Sequence, residues 1–158
     1  MKIAIVGHGP LTRGLAPFKD PEWTTWGLSL REFQHQEIFG EPRGFDALWE
    51  VHTNFPHTPE YQEWFDNNDI RRPDSSILID SFGPEAFGSS LAWMIAEAVV
   101  LNPDEIAIYG CDCSIVDKDE YEGHVPNLKY FLGFAAGRGI KLYAPPQSGL
   151  WKTENYDV

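Results

Sequence analysis

Short apolar runs alternate along the chain with longer stretches whose apolar residues recur at helical spacing. Lys2–Val6, Thr24–Leu28, Ala47–Val51, Ser76–Ile79, Glu105–Tyr109 and Lys141–Tyr143 have strand length and are bounded by polar or glycine-rich turns, so each is predicted as a β-strand. Pro84–Leu101 is predicted as a helix. Glu85 suits its first turn, Leu91, Met94, Ile95, Ala98, Val99 and Leu101 form a wide apolar face, and Pro103 stops it. A second helix is predicted over Pro126–Ala136, ended by Gly137 and Gly139, and a short one over Thr58–Phe65 with Pro59 in its first turn. The least regular stretches are Gln34–Gly44, Asp66–Asp74 and Cys113–Val125. Pro145–Val158 reads as an irregular tail that Trp151 could pin to the body. Alternating strands and helices imply an α/β fold: a mostly parallel sheet with helices on both faces. A length of 158 residues implies that 1–158 is a single domain.

Composition narrows the function classes. Twelve basic against 24 acidic residues give a net charge of −12, which argues against a broad duplex-DNA surface. A small phosphorylated ligand stays compatible with that charge. No apolar stretch reaches the ~20 residues of a membrane helix, and Pro10 and Arg13 interrupt any signal-peptide pattern, so a soluble cytoplasmic protein is expected. Cys111 and Cys113 are one residue apart. A disulfide over that span is strained, and two thiols cannot complete a tetrahedral zinc site, so buried free thiols are expected. Six tryptophans leave room for an aromatic interface and a homo-oligomer.

The chemistry is sought where strands end, because ligands of open parallel sheets bind beyond the carboxyl ends of the strands. Lys2–Val6 runs into Gly7-His8-Gly9-Pro10, followed by Leu11 and Thr12. The two glycines suit positive φ and close backbone approach, and N–H groups at the following helix start suit a phosphate. The spacing is not the dinucleotide fingerprint, because Gly14 falls one position late and Pro10 stiffens the turn. Ser29 follows the second strand. Glu50 and His52 close the third on one face, where a carboxylate beside an imidazole fixes its tautomer and raises its basicity. The pair would serve as a general base or grip a ribose, or else form a structural hydrogen bond. Asp80 and Ser81 end the fourth run, and Asp112 follows the fifth. His8 and His124 are further candidate bases. Ser89 and Ser90 lie inside the long helix, or at its N-terminus if it begins near Gly88. Asp117-Lys118-Asp119 has the look of a metal-binding D-x-D but sits in a charged loop, and no metal is expected.

In order and spacing, Gly7-His8-Gly9-Pro10, Gly88-Ser89-Ser90 through Met94, and Asp104-Glu105-Ile106 with Tyr109-Gly110-Cys111-Asp112 resemble the signatures of a Rossmann-like superfamily. It includes the small bacterial sialyltransferases and the motility-associated and pterin-kinase-like proteins. Trp26-Gly27-Leu28, Trp49-Glu50-Val51-His52, Glu120-Tyr121, Pro126-Asn127 and Gly137-Arg138-Gly139-Ile140 are similar to phage-encoded proteins of like length. The resemblance implies a single Rossmann-like domain binding a nucleotide or nucleotide sugar. By that resemblance Gly7, Gly9, Pro10, Ser29, Ser89 and Ser90 would line the nucleotide side; from their placement at strand ends His8 and Thr12 are expected to join them, and Glu50, His52, Asp112 and His124 are the candidate catalytic residues. Leu11 replaces the usual serine after Gly-Pro, and Ser29 stands where asparagine is usual. The implied activity is glycosyl transfer, in a host cytoplasm if the chain is phage-encoded. A non-catalytic nucleotide-binding module, a nucleotide N-glycosidase or phosphohydrolase, and an acidic scaffold are the competing classes.

Overall fold

The structure is a computed structural model that describes residues 1–30, 32–34, 44–52, 58–113 and 118–151. Its strands are β1 (Lys2–Val6), β2 (Trp23–Leu28), β3 (Ala47–Trp49), β4 (Ile70–Arg71), β5 (Glu105–Tyr109) and β6 (Lys141–Tyr143). The helices include α1 (Pro10–Arg13), α2 (Pro59–Asp66), α3 (Ser75–Phe82), α4 (Ser90–Leu101) and α5 (Lys118–Gly137), and residues 29–30 and 32–34 are helical as well. All strand pairs are parallel, in the order β4-β3-β2-β1-β5-β6. The chain therefore reverses direction across the sheet between β1 and β5. That switch point is where an open α/β sheet leaves a crevice above its strand ends.

Alternation along β1 divides the core. Ile3 and Ile5 join Ile106, Ile108, Met94, Ile95, Val99, Leu128 and Phe131 on the face covered by α4 and α5. Ala4 and Val6 join Ala107, Tyr109 and Ala16 on the other, where Phe18 and Phe45 pack edge to face at 5.2 Å. Two of the six tryptophans, Trp26 and Trp49, are core residues with ring centroids 4.7 Å apart. They are therefore unavailable to an aromatic interface.

Four expectations need correction. Ser76–Ile79 is not a strand but part of α3. Asp74 caps that helix by accepting from the Ile77 N–H, and Leu78 is the residue it buries. The fourth strand is instead the two-residue β4, paired with Leu48 and Trp49. Pro84–Leu101 is not continuous. A short 3-10 turn over Pro84–Ala86 gives way to extended backbone at Ser89, and α4 starts at Ser90. Helix α5 begins at Lys118 and carries Pro126 in its interior rather than at its start. Residues 145–151 pack rather than trail: Ser148 Oγ donates to the Cys111 carbonyl at 2.6 Å and Leu150 is buried, while Trp151 is exposed.

Candidate functional site

The glycine-rich turn is bound to the strand across the switch point. Gly7 N–H donates to the Tyr109 carbonyl at 2.8 Å and Gly9 N–H to the Gly110 carbonyl at 2.7 Å. A Cβ on Gly7 would stand 2.6 Å from the Gly110 oxygen, so the two backbones touch here. Close approach, not positive φ, is what this turn requires. Gly9 has φ −56°, and the left-handed residue is Gly110 at 62°.

Asp112 closes the turn from above. Its Oδ2 accepts from the Leu11 N–H at 2.7 Å and its Oδ1 from the Thr12 hydroxyl at 2.7 Å, while Thr12 Oγ1 accepts from the Gly110 N–H at 2.8 Å. A side chain on Gly9 would overlap the Asp112 carboxylate. The N-terminus of α1, expected to receive a phosphate, is thus met by a carboxylate of the chain itself. Asp112 and Thr12 are buried and tied to the turn, so neither is placed to face an acceptor or a nucleotide. Beside them, Arg13 donates to His8 Nδ1 at 3.2 Å and to Glu32 Oε2 at 3.3 Å. A guanidinium only donates, so His8 Nδ1 accepts and the ring carries its proton on Nε2. His8 and Pro10 are exposed at the rim.

A second cluster lies at the ends of β2 and β3. Ser29 directly follows β2 and Glu50 directly follows β3, and the parallel register of these strands puts them side by side. Glu50 is 2% exposed. Its Oε2 accepts from Ser29 Oγ at 2.8 Å and from the Tyr61 hydroxyl at 2.6 Å. Its Oε1 accepts from His52 at the backbone N–H and at ring Nδ1, each at 2.9 Å. Burial pushes the Glu50 carboxyl up. The hydrogen bonds from Tyr61, the His52 N–H, Ser29 and the His52 ring outweigh it and hold Glu50 below the usual carboxylate range. Burial and the Glu50 carboxylate push the Tyr61 phenol up, so it stays a protonated donor. The His52 side chain is 55% exposed. A carboxylate at Nδ1 fixes the proton there and makes Nε2 the basic nitrogen.

A third group surrounds the start of α4. Ser89 caps the helix by accepting from the Ala92 N–H at 3.2 Å, which leaves its hydroxyl proton to donate. Asn127 of α5 donates to the Ala86 carbonyl at 3.1 Å, and its amide fills the place a side chain on Gly88 would take. His124 precedes Asn127 by three positions, so the two share one side of α5. Leu91, in the first turn of α4, reaches to 3.1 Å from where a Gly7 side chain would start, so the turn and the serine-bearing helix start are neighbours.

Tyr61 and the Arg13–Glu32 pair escape the sequence reading. A tyrosine one turn into a helix that opens Thr58-Pro59 carries one usable signal: a buried phenol needs a polar partner. Asp80 and Ser81 belong to α3 rather than to a strand end. Asp117 lies outside the described residues. Among the described residues, no three His, Cys, Asp or Glu side chains cluster as a metal site, and no helix is long and apolar enough to cross a membrane.

No family model and no curated protein matches the chain. Among solved structures it is similar to thiamine pyrophosphokinase from Bacillus subtilis, at 16% identity and a TM-score of 0.55, over 92% of this chain and 60% of that one. It is similar also to a variant of the alpha-2,3/8-sialyltransferase CstII, at 16% identity and a TM-score of 0.52, over 91% of this chain and 81% of that one. A third is CstII from Campylobacter jejuni in complex with the substrate analogue CMP-3FNeuAc, at 16% identity and a TM-score of 0.52, over 90% and 79%. The chain spans about three fifths of the kinase. These likenesses show the fold: a Rossmann-like parallel α/β sheet.

Proposed function

We propose that the chain binds a nucleotide sugar at the carboxyl ends of β1, β2 and β3 and transfers its glycosyl group, with His52 as general base. The observation that carries this reading is the Glu50–His52 pair. A buried, ionised carboxylate holds Nδ1 of a half-exposed imidazole at 2.9 Å, which is the arrangement a proton-abstracting histidine needs. Ser29 and Tyr61 position Glu50. The hydroxyls of Ser89 and Ser90, the first N–H groups of α4 and the Nε2 proton of His8 would receive the phosphate side. His124 would sit toward the acceptor. Asp112 and Thr12 take no part in the reaction; they brace the turn. The substrate analogue named for one fold neighbour is CMP-linked, so a cytidine nucleotide sugar is the first donor to test. On the resemblance to phage-encoded proteins, the compartment proposed is the host cytoplasm.

The second reading is a nucleotide-binding module without turnover. It rests on the turn, whose Gly7, Gly9 and Leu11 N–H groups all donate to the chain itself, leaving recognition to side chains. A glycosidase with a carboxylate nucleophile is disfavoured, because both oxygens of Glu50 and of Asp112 already accept hydrogen bonds inside the protein. Product analysis separates the readings. Wild type and His52→Ala are incubated with CMP-linked and other nucleotide sugars, with and without glycan acceptors. A glycosylated acceptor formed by wild type and lost in the variant supports transfer. Free sugar formed equally by both contradicts His52 as base, and intact donor throughout supports the binding module.

A further inference from the structure

We infer that Cys111 and Cys113 form a reactive dithiol that closes reversibly to an intramolecular disulfide by exchange with a low-molecular-weight disulfide, and that this closure loosens the glycine-rich turn through Asp112. The two residues are all the cysteine the chain contains, and neither is in a disulfide. Their Sγ atoms lie 3.0 Å apart and share a hydrogen bond. The environments differ. Cys111 is 6% exposed, whereas Cys113 is partly exposed. The hydrogen bond from Cys111 holds the Cys113 thiol below its usual range against burial and the Asp112 charge, with Lys129 assisting. The same hydrogen bond and burial push Cys111 up. Cys113 is therefore the attacking sulfur and Cys111 the resolving one.

The exchange balances without any other reagent. The Cys113 thiolate attacks one sulfur of the small disulfide and expels a thiolate, giving a mixed disulfide. Cys111 then loses its proton, attacks the Cys113 sulfur and expels the second thiolate. The protein loses two electrons and two protons, and one disulfide becomes two thiols. Because a ring across one intervening residue is strained, the product is readily reduced, which suits a reversible switch rather than a structural bond.

The residue between the two sulfurs makes the closure consequential. Asp112 holds the Leu11 N–H and the Thr12 hydroxyl with its side chain, and its carbonyl accepts from the Gly149 N–H at 3.0 Å. Cys111 offers its carbonyl to Ser148. The segment is pinned between two left-handed residues, Gly110 at φ 62° and Cys113 at φ 47°. Bringing the sulfurs from contact to bonding distance must turn this backbone, and with it the carboxylate that closes the turn. The inference does not depend on nucleotide binding or turnover.

The test treats the native full chain with glutathione disulfide, quenches in acid, blocks remaining thiols and measures mass. The expected product of wild type has lost two hydrogens, carries no blocking group, is not covalently linked to a second chain and reverts with dithiothreitol. Cys111→Ser is expected to stop at a stable glutathione adduct on Cys113. Cys113→Ser is expected to react many-fold more slowly. Amide exchange on oxidised wild type should be several-fold faster at Gly9 and Leu11 than on reduced protein. A wild type that stays reduced, stops at the glutathione adduct or cross-links between chains would overturn the dithiol, as would equal reaction of Cys113→Ser. Unchanged exchange at Gly9 and Leu11 would overturn its coupling to the turn.

Discussion

Glu50 and His52 share a hydrogen bond, yet one is sealed inside the protein and the other half in solvent, so substitution separates them. Glu50→Gln leaves at least one of the four donors around it facing an amide N–H₂ in a buried site. It is expected to cost about 1–3 kcal/mol, which lowers Tm by about 2–4 °C per kcal/mol in a domain of this size. His52→Ala is expected to leave Tm nearly unchanged and to abolish transfer. A large Tm loss in the histidine variant would make the pair structural. Acid sharpens the contrast. The carboxyl of folded Glu50 titrates below its unfolded value, so its contribution is complete above the ordinary carboxylate range and is lost as pH falls through the depressed one. Denaturant titrations from neutral to acid pH should show wild type and Glu50→Gln converging in stability. A constant difference between them would contradict an ionised Glu50. The pair was legible in sequence as a carboxylate two positions before an imidazole at the end of an apolar run, although β3 ends at Trp49 and both residues lie just beyond it. Tyr61 was not, because it reaches Glu50 from a helix eleven positions away in the chain, and nothing local encodes that contact.

Between elements, the turn after β1 depends on Asp112 as much as on its glycines. Asp112→Ala removes the acceptor from the Leu11 N–H and the Thr12 hydroxyl, and an expected cost of about 1.5–3 kcal/mol follows from losing hydrogen bonds to a charged group. Gly9→Ala meets the same carboxylate, so it should destabilise the wild type but much less the Asp112→Ala background. Equilibrium unfolding of the two single variants and the double one checks this coupling. Strictly additive losses would show that the crowding is relieved elsewhere. At α4, Ser89→Ala should cost about 0.5–2 kcal/mol as a lost N-cap, measured in the same way. Pattern alone misjudges an element where three consecutive apolar positions fit either period. Ser76–Ile79 has strand composition, and the capping of Ile77 by Asp74 decides for a helix. The break before Ser90 was legible only as an alternative, since Gly88 permits it and the contact with Asn127 enforces it.

Across the whole molecule, six parallel strands with a switch between β1 and β5 bring the turn, the helix start at Ser89 and the Glu50 network to one edge. Fold class was readable from alternation alone, because a parallel sheet needs a crossover between every pair of strands. The occupancy of the switch point by Asp112 was not, because strand order decides which loop faces which and periodicity carries no strand order. Among the described residues, Arg13 beside the turn is paired with Glu32, so tight binding of a bare polyphosphate is not expected. A nucleotide held largely by hydroxyls, an imidazole and a helix start is. The most direct measurement is amide hydrogen exchange on the native protein with and without saturating cytidine monophosphate or its glycosyl conjugates. Protection is expected at residues 8, 29–30, 50–52 and 89–92 together, with the far ends of the strands unchanged. Unaltered exchange with every nucleotide tried, or protection that avoids this edge, would contradict a nucleotide site at the carboxyl ends of the strands.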